Sequence, residues 1–531
     1  MKKMIPILLT ATLLFTNVVL RQEPVAADLP FNDISNSYAK DAILRLNANN
    51  VMKGTSGSEF SPTRSITRAE FMTTLTRIFK VEPAKSAIPA YRDVPKTAWY
   101  YGTIQAATEL GLTNGLGDGI FKPNQPLTRQ EAASWIVRAL KQNAAGNSSS
   151  NYQDAAMIAA WAKPSVSSIT ELGLMQGSDG LFHPTQPITR QETAVILDRL
   201  LQDTRWTDAL TASTNQTIKL GWQYGLSTEA YKKAVLQSNV NVLVPRWFFL
   251  ESNGKFSDSS VPSLVTWAKN NGKQVWAMIG NRFDQETTHK LLASSSLSSE
   301  AIQTLKSYVQ KYGLHGINVD FENVAASDRS LYTAFIAKLA QELHSVSAVL
   351  SVDLPPDLDT DWSDAYNYAE LAKSADYLVI MTYDEHWGGA AAGSIASLGW
   401  VDNHLQKLLT QVPSNQLIMG MPLYTRDWSL SSTGATLSSE DITLAAQNNR
   451  MNQYGLKPKW NDTLGQYTME YRKNGTLHKI WLEDARSLSE KLRLGMKFGV
   501  AGYAYWHIGG ESPDIWTSLQ NAEKYAGYSF M

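Results

Sequence analysis

Hydrophobic and polar positions keep two different rhythms along this chain. Over the first 200 residues, helical stretches alternate with Gly-rich turns and short extended pieces. From Ile218 onward, apolar residues gather into short runs separated by helical segments, the texture of βα units. Eight strands are predicted, at 218–224, 240–247, 274–280, 316–322, 349–355, 377–384, 416–424 and 500–506. Stretches such as 299–313 and 331–346 are predicted helices between them. Eight strands in about 290 residues is the count and size of a (β/α)8 barrel. A doubly wound sheet is the competing arrangement, but no Gly-rich phosphate loop follows the first strand. The seventh and eighth strands are about 75 residues apart. Their interval holds a strand-like run at 467–484 with Asn474-Gly475 as a hairpin turn, so an α+β lobe (425–484) is predicted to wall one side of a cleft.

The first 200 residues repeat with a period of 61. Phe60-x-Pro62 returns as Phe121-x-Pro123 and Phe182-x-Pro184. Ile66-Thr67-Arg68-Ala69-Glu70 returns as Leu127-Thr128-Arg129-Gln130-Glu131 and Ile188-Thr189-Arg190-Gln191-Glu192, while Asp33, Asp93 and Asp154 close the pieces FND, YRD and YQD. Three copies follow, at 29–83, 88–144 and 150–202. Each Thr with the Glu three residues on is a capping box that starts a helix. The box leaves the arginine unexplained, because a cation at the first helical position opposes the helix dipole. A repeated local penalty of this kind points to a ligand, so Arg68, Arg129 and Arg190 are candidate anion sites beside helix N-terminal amides. The third copy departs slightly: Gly177 lies five residues before Phe182, whereas Gly54 and Gly115 lie six before theirs, and an Asn/Ser-rich insert (143–151) precedes it. One of the three sites is therefore expected to be altered. A short polar stretch, 203–217, joins the repeats to the barrel without a Pro-rich or long Gly/Ser spacer, which predicts a barrel close to the repeats.

Composition narrows the class. Hydrophobic residues at 43% and charged residues at 18% describe a folded chain with ample core, and 531 residues exceed one ordinary domain. A formal net charge of −1 gives no reason to expect a nucleic-acid partner. The N-terminus carries two lysines, an apolar run and Val25-Ala26-Ala27, which reads as an export signal over 1–27 with cleavage before Asp28. No membrane attachment is expected after cleavage. The chain has no cysteine, so an exported form holds together without disulfides. No HExxH or Cys-pair motif occurs, and no metal or other cofactor is expected.

The candidate chemistry lies in residues 315–323, HGINVDFEN. Asn318, Asp320 and Glu322 alternate with Ile317, Val319 and Phe321, which puts the polar set on one face of the fourth strand. Two carboxyls roughly 6–7 Å apart disfavour each other's ionisation when buried, leaving one as acid and one as anion. Tyr383 and Asp384 close the sixth predicted strand, Tyr424 the seventh and Trp506 the eighth. Barrel chemistry sits at the C-terminal ends of strands, so these groups converge where a site is expected.

The repeats resemble S-layer homology domains, on the FxD start, the Gly-to-FxP turn and the TRxE motif. The resemblance implies attachment to a secondary polysaccharide of a Gram-positive-type cell wall, with Arg68, Arg129 and Arg190 contributing. The barrel resembles glycoside hydrolase family 18 over roughly 216–517, on HGINVDFEN, MTYD (381–384), GMPLY (420–424) and WHIGGE (506–511). It looks most like the branch containing spore-cortex peptidoglycan glucosaminidases. That resemblance implies a retaining hydrolase of β-1,4 glycans carrying N-acetylglucosamine, with the substrate's 2-acetamido oxygen as nucleophile. Glu322 then acts as general acid/base and Asp320 holds the acetamide N–H. Tyr383 donates to the acetamide oxygen, and the Trp506 face underlies the sugar at subsite −1. Asp384 orients its neighbours, Asn318 takes the innermost position, and Tyr424, Arg426 and Trp428 are further cleft candidates. Peptidoglycan is the leading substrate and chitin the second. His315 stands where the family has Asp; its parity turns it away from the lumen and gives it a structural role. The competing functions are a lectin-like binding protein, against which the presence of Glu322 speaks, and a structural surface-layer component.

Overall fold

The computed structural model describes residues 29–142, 152–212 and 217–530. The expected export signal and the insert at 143–151 lie outside them. Each repeat supplies two helices: Lys40–Ala48 with Arg68–Ile78, Tyr101–Glu109 with Arg129–Ala139, and Lys163–Glu171 with Arg190–Gln202. The second helix of every pair begins at its capping box, Thr67 with Glu70, Thr128 with Glu131 and Thr189 with Glu192. The recurring aspartates bind the FxP piece of their own copy. Asp33 accepts from Phe60 N (2.9 Å) and Ser61 N (2.7 Å), and Asp93 and Asp154 repeat the pair. Ser61, Lys122 and His183 sit at φ 59°, 56° and 57°, which turns two successive N–H groups toward one carboxylate.

The three copies close into a ring. Leu127 N donates to Ile66 O, Ile188 N to Leu127 O and Ile66 N to Ile188 O, and all three side chains are fully buried. Each copy satisfies its neighbour's backbone edge rather than its own, which is the physical reason for three of them. Most of the joining stretch is not an extended linker: Asp203 caps a helix, Thr204–Thr211, whose Trp206 and Leu210 are buried in the repeat core.

The barrel strands are Ile218–Gln223, Val242–Leu250, Gln274–Gly280, Gly316–Asp320, Val349–Leu354, Tyr377–Ile380, Leu417–Pro422 and Gly502–Trp506. They pair in that order, all parallel, and the first also pairs with the last, closing the barrel. Leu220, Trp222, Val242, Val244, Trp276 and Met278 help fill the lumen as a core distinct from the one beneath the outer helices. Between the seventh and eighth strands an antiparallel five-stranded sheet and the helix Leu444–Gln453 form the lobe. Tyr424 begins the lobe's first strand, Tyr424–Leu430, instead of ending barrel strand seven. Asn474 (φ 52°) and Gly475 (φ 83°) turn the expected hairpin between Lys473 and Thr476.

The far end of the chain returns to the repeats. Helix Asp514–Gly527 and the residues after it pack there, with Tyr528 Oη donating to Phe79 O (2.9 Å) and Asn521 exchanging two hydrogen bonds with the backbone of Glu82. Lys141 donates to the carbonyls of Tyr525, Ala526 and Tyr528. Glu109 is buried in this junction, where Ser518, Asp514 and Asp484 of the barrel face it and Arg493 binds its carbonyl (2.9 Å).

Candidate active site

The fourth barrel strand carries its polar face into the lumen in three layers. At the bottom, Asn318 is fully buried; its Nδ2 donates to Ser351 Oγ (3.0 Å) and Asp353 Oδ1 (2.7 Å), and its Oδ1 accepts from Trp222 Nε1 (3.2 Å). An amide suits this place because Asp353 needs a donor, which a carboxylate at 318 would not supply unless protonated. One layer up is Asp320. Glu322 lies just past the last residue of the strand, so the ladder does not hold it. Asn281, at the end of the third strand, does: its Oδ1 accepts from Glu322 N (3.1 Å) and its Nδ2 donates to Glu322 O (2.7 Å) and Thr288 Oγ1 (2.9 Å). Tyr366 Oη secures the preceding carbonyl of Phe321 (2.9 Å).

Asp320 and Glu322 line a cavity of about 430 Å³ together with Arg246, Phe249, Met278 and Asn281. Burial pushes the Asp320 carboxyl up to about 6, opposed by Arg246. Glu322 is pushed well above the usual carboxylate range, first by burial and then by the charges of Asp320 and Asp384. Asp353 is likewise raised well above the usual carboxylate range, by burial and by Asp320. The three carboxyls cannot all ionise near neutral pH, so the array retains protons and titrates as a unit. Tyr383 is buried facing them; burial and the neighbouring Tyr424 and carboxyls raise its hydroxyl well above its ordinary value and keep it a donor.

Asp384, at φ 62°, turns toward the lobe, where it accepts from Tyr424 Oη (2.6 Å) and Arg426 (3.3 Å). Arg426 also pairs with Asp441 on the lobe's second strand, so this trio fastens the lobe to the barrel rim. Trp506 is half-buried at the lumen mouth, its ring 5.7 Å from Trp222 and 5.4 Å from Tyr224. Trp428 is not a cleft residue: its side chain is fully buried within the lobe. His315 points away from the lumen, and its Nδ1 accepts from Val275 N (3.2 Å). Burial lowers its pKa, consistent with a neutral ring that can accept that bond. Asp353, Asn281 and Arg246 were not foreseen. Strict alternation would have found two of them, since Ser351/Asp353 and Val244/Arg246 share the lumen parity of their strands.

The motif arginines of the repeats bind the next copy around the ring. Arg68 Nε donates to Phe121 O (2.7 Å) and its guanidinium pairs with Glu131. Arg129 does the same with Phe182 O (2.9 Å) and Glu192 (2.9 Å), and Arg190 with Phe60 O (2.7 Å) and, at 4.0 Å, Glu70. Where three similar anion sites are expected, the dipole penalty is offset by a carboxylate and carbonyl of the neighbouring repeat, and all three side chains are buried. Arg129 and Arg190 still form part of the walls of open clefts, of about 620 and 490 Å³. The cleft containing Arg129 also contains Gly177, so the shortened turn of the third copy does not close it.

A parallel eightfold barrel with acidic residues at the C-terminal end of its fourth strand, joined to a ring of three wall-binding-type repeats, defines a surface glycosidase. The chain belongs to the Glycosyl hydrolases family 18, whose family model matches residues 222–511, and it carries three S-layer homology domains at 30–72, 90–133 and 151–194. It is similar to an uncharacterized glycosylase, YvbX, of Bacillus subtilis (28% identity, 54% of this chain and 85% of the relative). It is also similar to a cortical fragment-lytic enzyme of Bacillus anthracis (29% identity, 49% of this chain), of which it spans 60%. A chitinase from Chromobacterium violaceum shares the barrel fold, with 23% identity, a TM-score of 0.54, and 58% of this chain and 99% of that one covered. The repeats mark the protein as associated with the cell surface or wall.

Proposed function

We propose that this glycosidase is exported, is held on the cell wall by its repeats, and cleaves β-1,4 bonds after N-acetylglucosamine, with peptidoglycan the favoured substrate and chitin oligomers second. The observation that carries the reading is the buried array in which Glu322 is held as an acid beside Asp320, with the Tyr383 hydroxyl facing both. In this reading Glu322 protonates the leaving oxygen and then activates water. Asp320 accepts from the acetamide N–H and so aims its carbonyl oxygen at the anomeric carbon. Tyr383 donates to that oxygen, and the Trp506 ring supports the sugar. Attack by the substrate's own oxygen needs no enzyme nucleophile; it inverts the anomeric carbon as the leaving group departs, and the water activated by Glu322 then displaces that oxygen with a second inversion, so the original configuration is restored. The similarity to a cortical fragment-lytic enzyme supports peptidoglycan as the glycan. The clefts containing Arg129 and Arg190 are where a wall polysaccharide would be held, with those two arginines shaping the walls and Arg68 tying together the ring that carries them.

Glu322→Gln tests the reading. It removes the acid while keeping shape, and should lower glycan cleavage by about 10²–10⁴-fold with wall binding intact. Mass analysis of products from purified peptidoglycan and from chitin oligomers names the bond through the new reducing end. Undiminished turnover in the variant would sink the assignment.

A further inference from the structure

Arg246 has no part in the roles above. It stands on the second barrel strand, where Val242, Val244 and Arg246 alternate into the lumen. Its guanidinium is carried on ring faces, with Cζ 5.0 Å from the Tyr224 ring centre, 5.4 Å from Phe249 and 5.7 Å from Trp506. Among the described residues it makes no hydrogen bond or ion pair, and its buried Nε lacks a partner. Yet it shares the 430 Å³ cavity with Asp320 and Glu322. A cation held by aromatic faces stays in place without a carboxylate clamp, so its charge acts through space on whatever lies nearby.

The other charged and titratable groups around this cavity are committed. Arg282, after the third strand, pairs with Glu251 (3.1 Å). Arg426 is taken by Asp384 and Asp441. Asp353, on the fifth strand, holds Asn318, while Tyr366 binds Phe321 O and Tyr332 and Tyr383 remain protonated phenols. His507, after the eighth strand, has its pKa lowered by burial, with Arg246 contributing. That leaves Asp320 and Glu322 facing one uncommitted cation.

We propose that Arg246 is a positioning residue that sets the charge state of the Asp320–Glu322 pair, holding Asp320 as the anion and keeping the proton of that pair on Glu322 within the working pH range. The inference rests on the glycosidase reading for its consequence in turnover, but not for the ionisation itself. Removing the cation raises both carboxyls. The acidic limb of the activity profile, which requires ionised Asp320, and the alkaline limb, which requires protonated Glu322, then move up together.

The test compares Arg246→Met, which keeps apolar stem packing on the three rings, and Arg246→Lys, which keeps the charge. In Arg246→Met both limbs of the kcat/KM profile on purified peptidoglycan should rise by about one pH unit, as expected for loss of an opposite charge from the shared cavity. In Arg246→Lys they should return toward the wild-type positions. Carboxyl ¹³C chemical-shift titration of Asp320 and Glu322, on the full chain without substrate, reads the same shift independently of turnover. Unmoved carboxyl titrations in Arg246→Met overturn the inference even if the variant is slower or less stable. A wild-type chain that cleaves no glycan, with carboxyls that do shift in the variant, overturns the glycosidase reading and leaves the charge-setting role standing. If Arg246→Met does not fold, Arg246→Gln provides the neutral comparison.

Discussion

Replacing Asn281 with Ala should separate the placement of Glu322 from its chemistry. The Asn281 side chain is 1% exposed and makes hydrogen bonds to Glu322 N, Glu322 O and Thr288, with a fourth from Phe283 N (3.3 Å). Truncation leaves the N–H and C=O of Glu322 without these partners. Each orphaned buried group costs about 1–3 kcal/mol, and the adjoining cavity lets water recover part of that, so a loss of about 2–4 kcal/mol is expected. The effect on rate follows from geometry. Glu322 lies beyond the strand ladder, and a displacement near 1 Å costs roughly 100-fold in kcat. That corresponds to about 2.7 kcal/mol of transition-state stabilisation, and KM should change little. Asn281→Asp is a sharper probe, because it keeps an acceptor for Glu322 N while setting an oxygen against Glu322 O. Denaturant unfolding and initial rates of reducing-end release measure the two effects. A kcat within about threefold of wild type in Asn281→Ala, despite the loss of stability, would refute the claim that this amide positions the acid.

The repeat–barrel junction should respond to pH. Burial raises Glu109 to about 8 from its ordinary value of 4.5, so the folded state keeps a proton that the unfolded chain releases, and stability falls as pH rises from about 4.5 to 8. The loss is bounded at roughly 3–5 kcal/mol, and Glu109→Gln should flatten the decline in Tm over that window; an unchanged slope counts against it. In the ring, Arg68→Ala leaves Glu131 and the Phe121 carbonyl without their cation and should cost about 3–5 kcal/mol in the repeats. A change below about 1 kcal/mol in denaturant unfolding would show that the buried pair is dispensable.

Much of this was readable in the sequence where a pattern has a strict period. The alternation at 316–322 places Asn318 and Asp320 on the lumen side, and the 61-residue spacing exposes the repeats. What escaped depends on partners distant in sequence. Nothing near Glu322 announces that its backbone is held by an amide 41 residues earlier. Each TRxE copy considered alone makes its arginine look outward, since the carboxylate it meets is 63 residues further on for Arg68 and Arg129 and, for Arg190, back at Glu70 in the first copy. The apolar run makes Tyr424 look like the end of strand seven and Trp428 a residue just past it, but the chain has already entered the lobe, and the register there buries Trp428. Arg246 could have been found, because Val242, Val244 and Arg246 obey the same alternation that revealed Asp320.

The return of the chain's far end to the repeats has a mechanical consequence. Besides the chain segment after Thr211, the barrel is held to the repeats by a second set of contacts around its last helix, among them Tyr528, which reaches a carbonyl 449 residues away in sequence, and Asn521 on Glu82. A body hung from one tether sweeps a sphere; one bracketed twice cannot swivel. Once the repeats grip their polymer, the mouth of the barrel would face a fixed patch of the surrounding wall. Turnover would then depend on glycan strands being brought to that patch, and cutting the second bracket while leaving the first intact would widen the enzyme's reach.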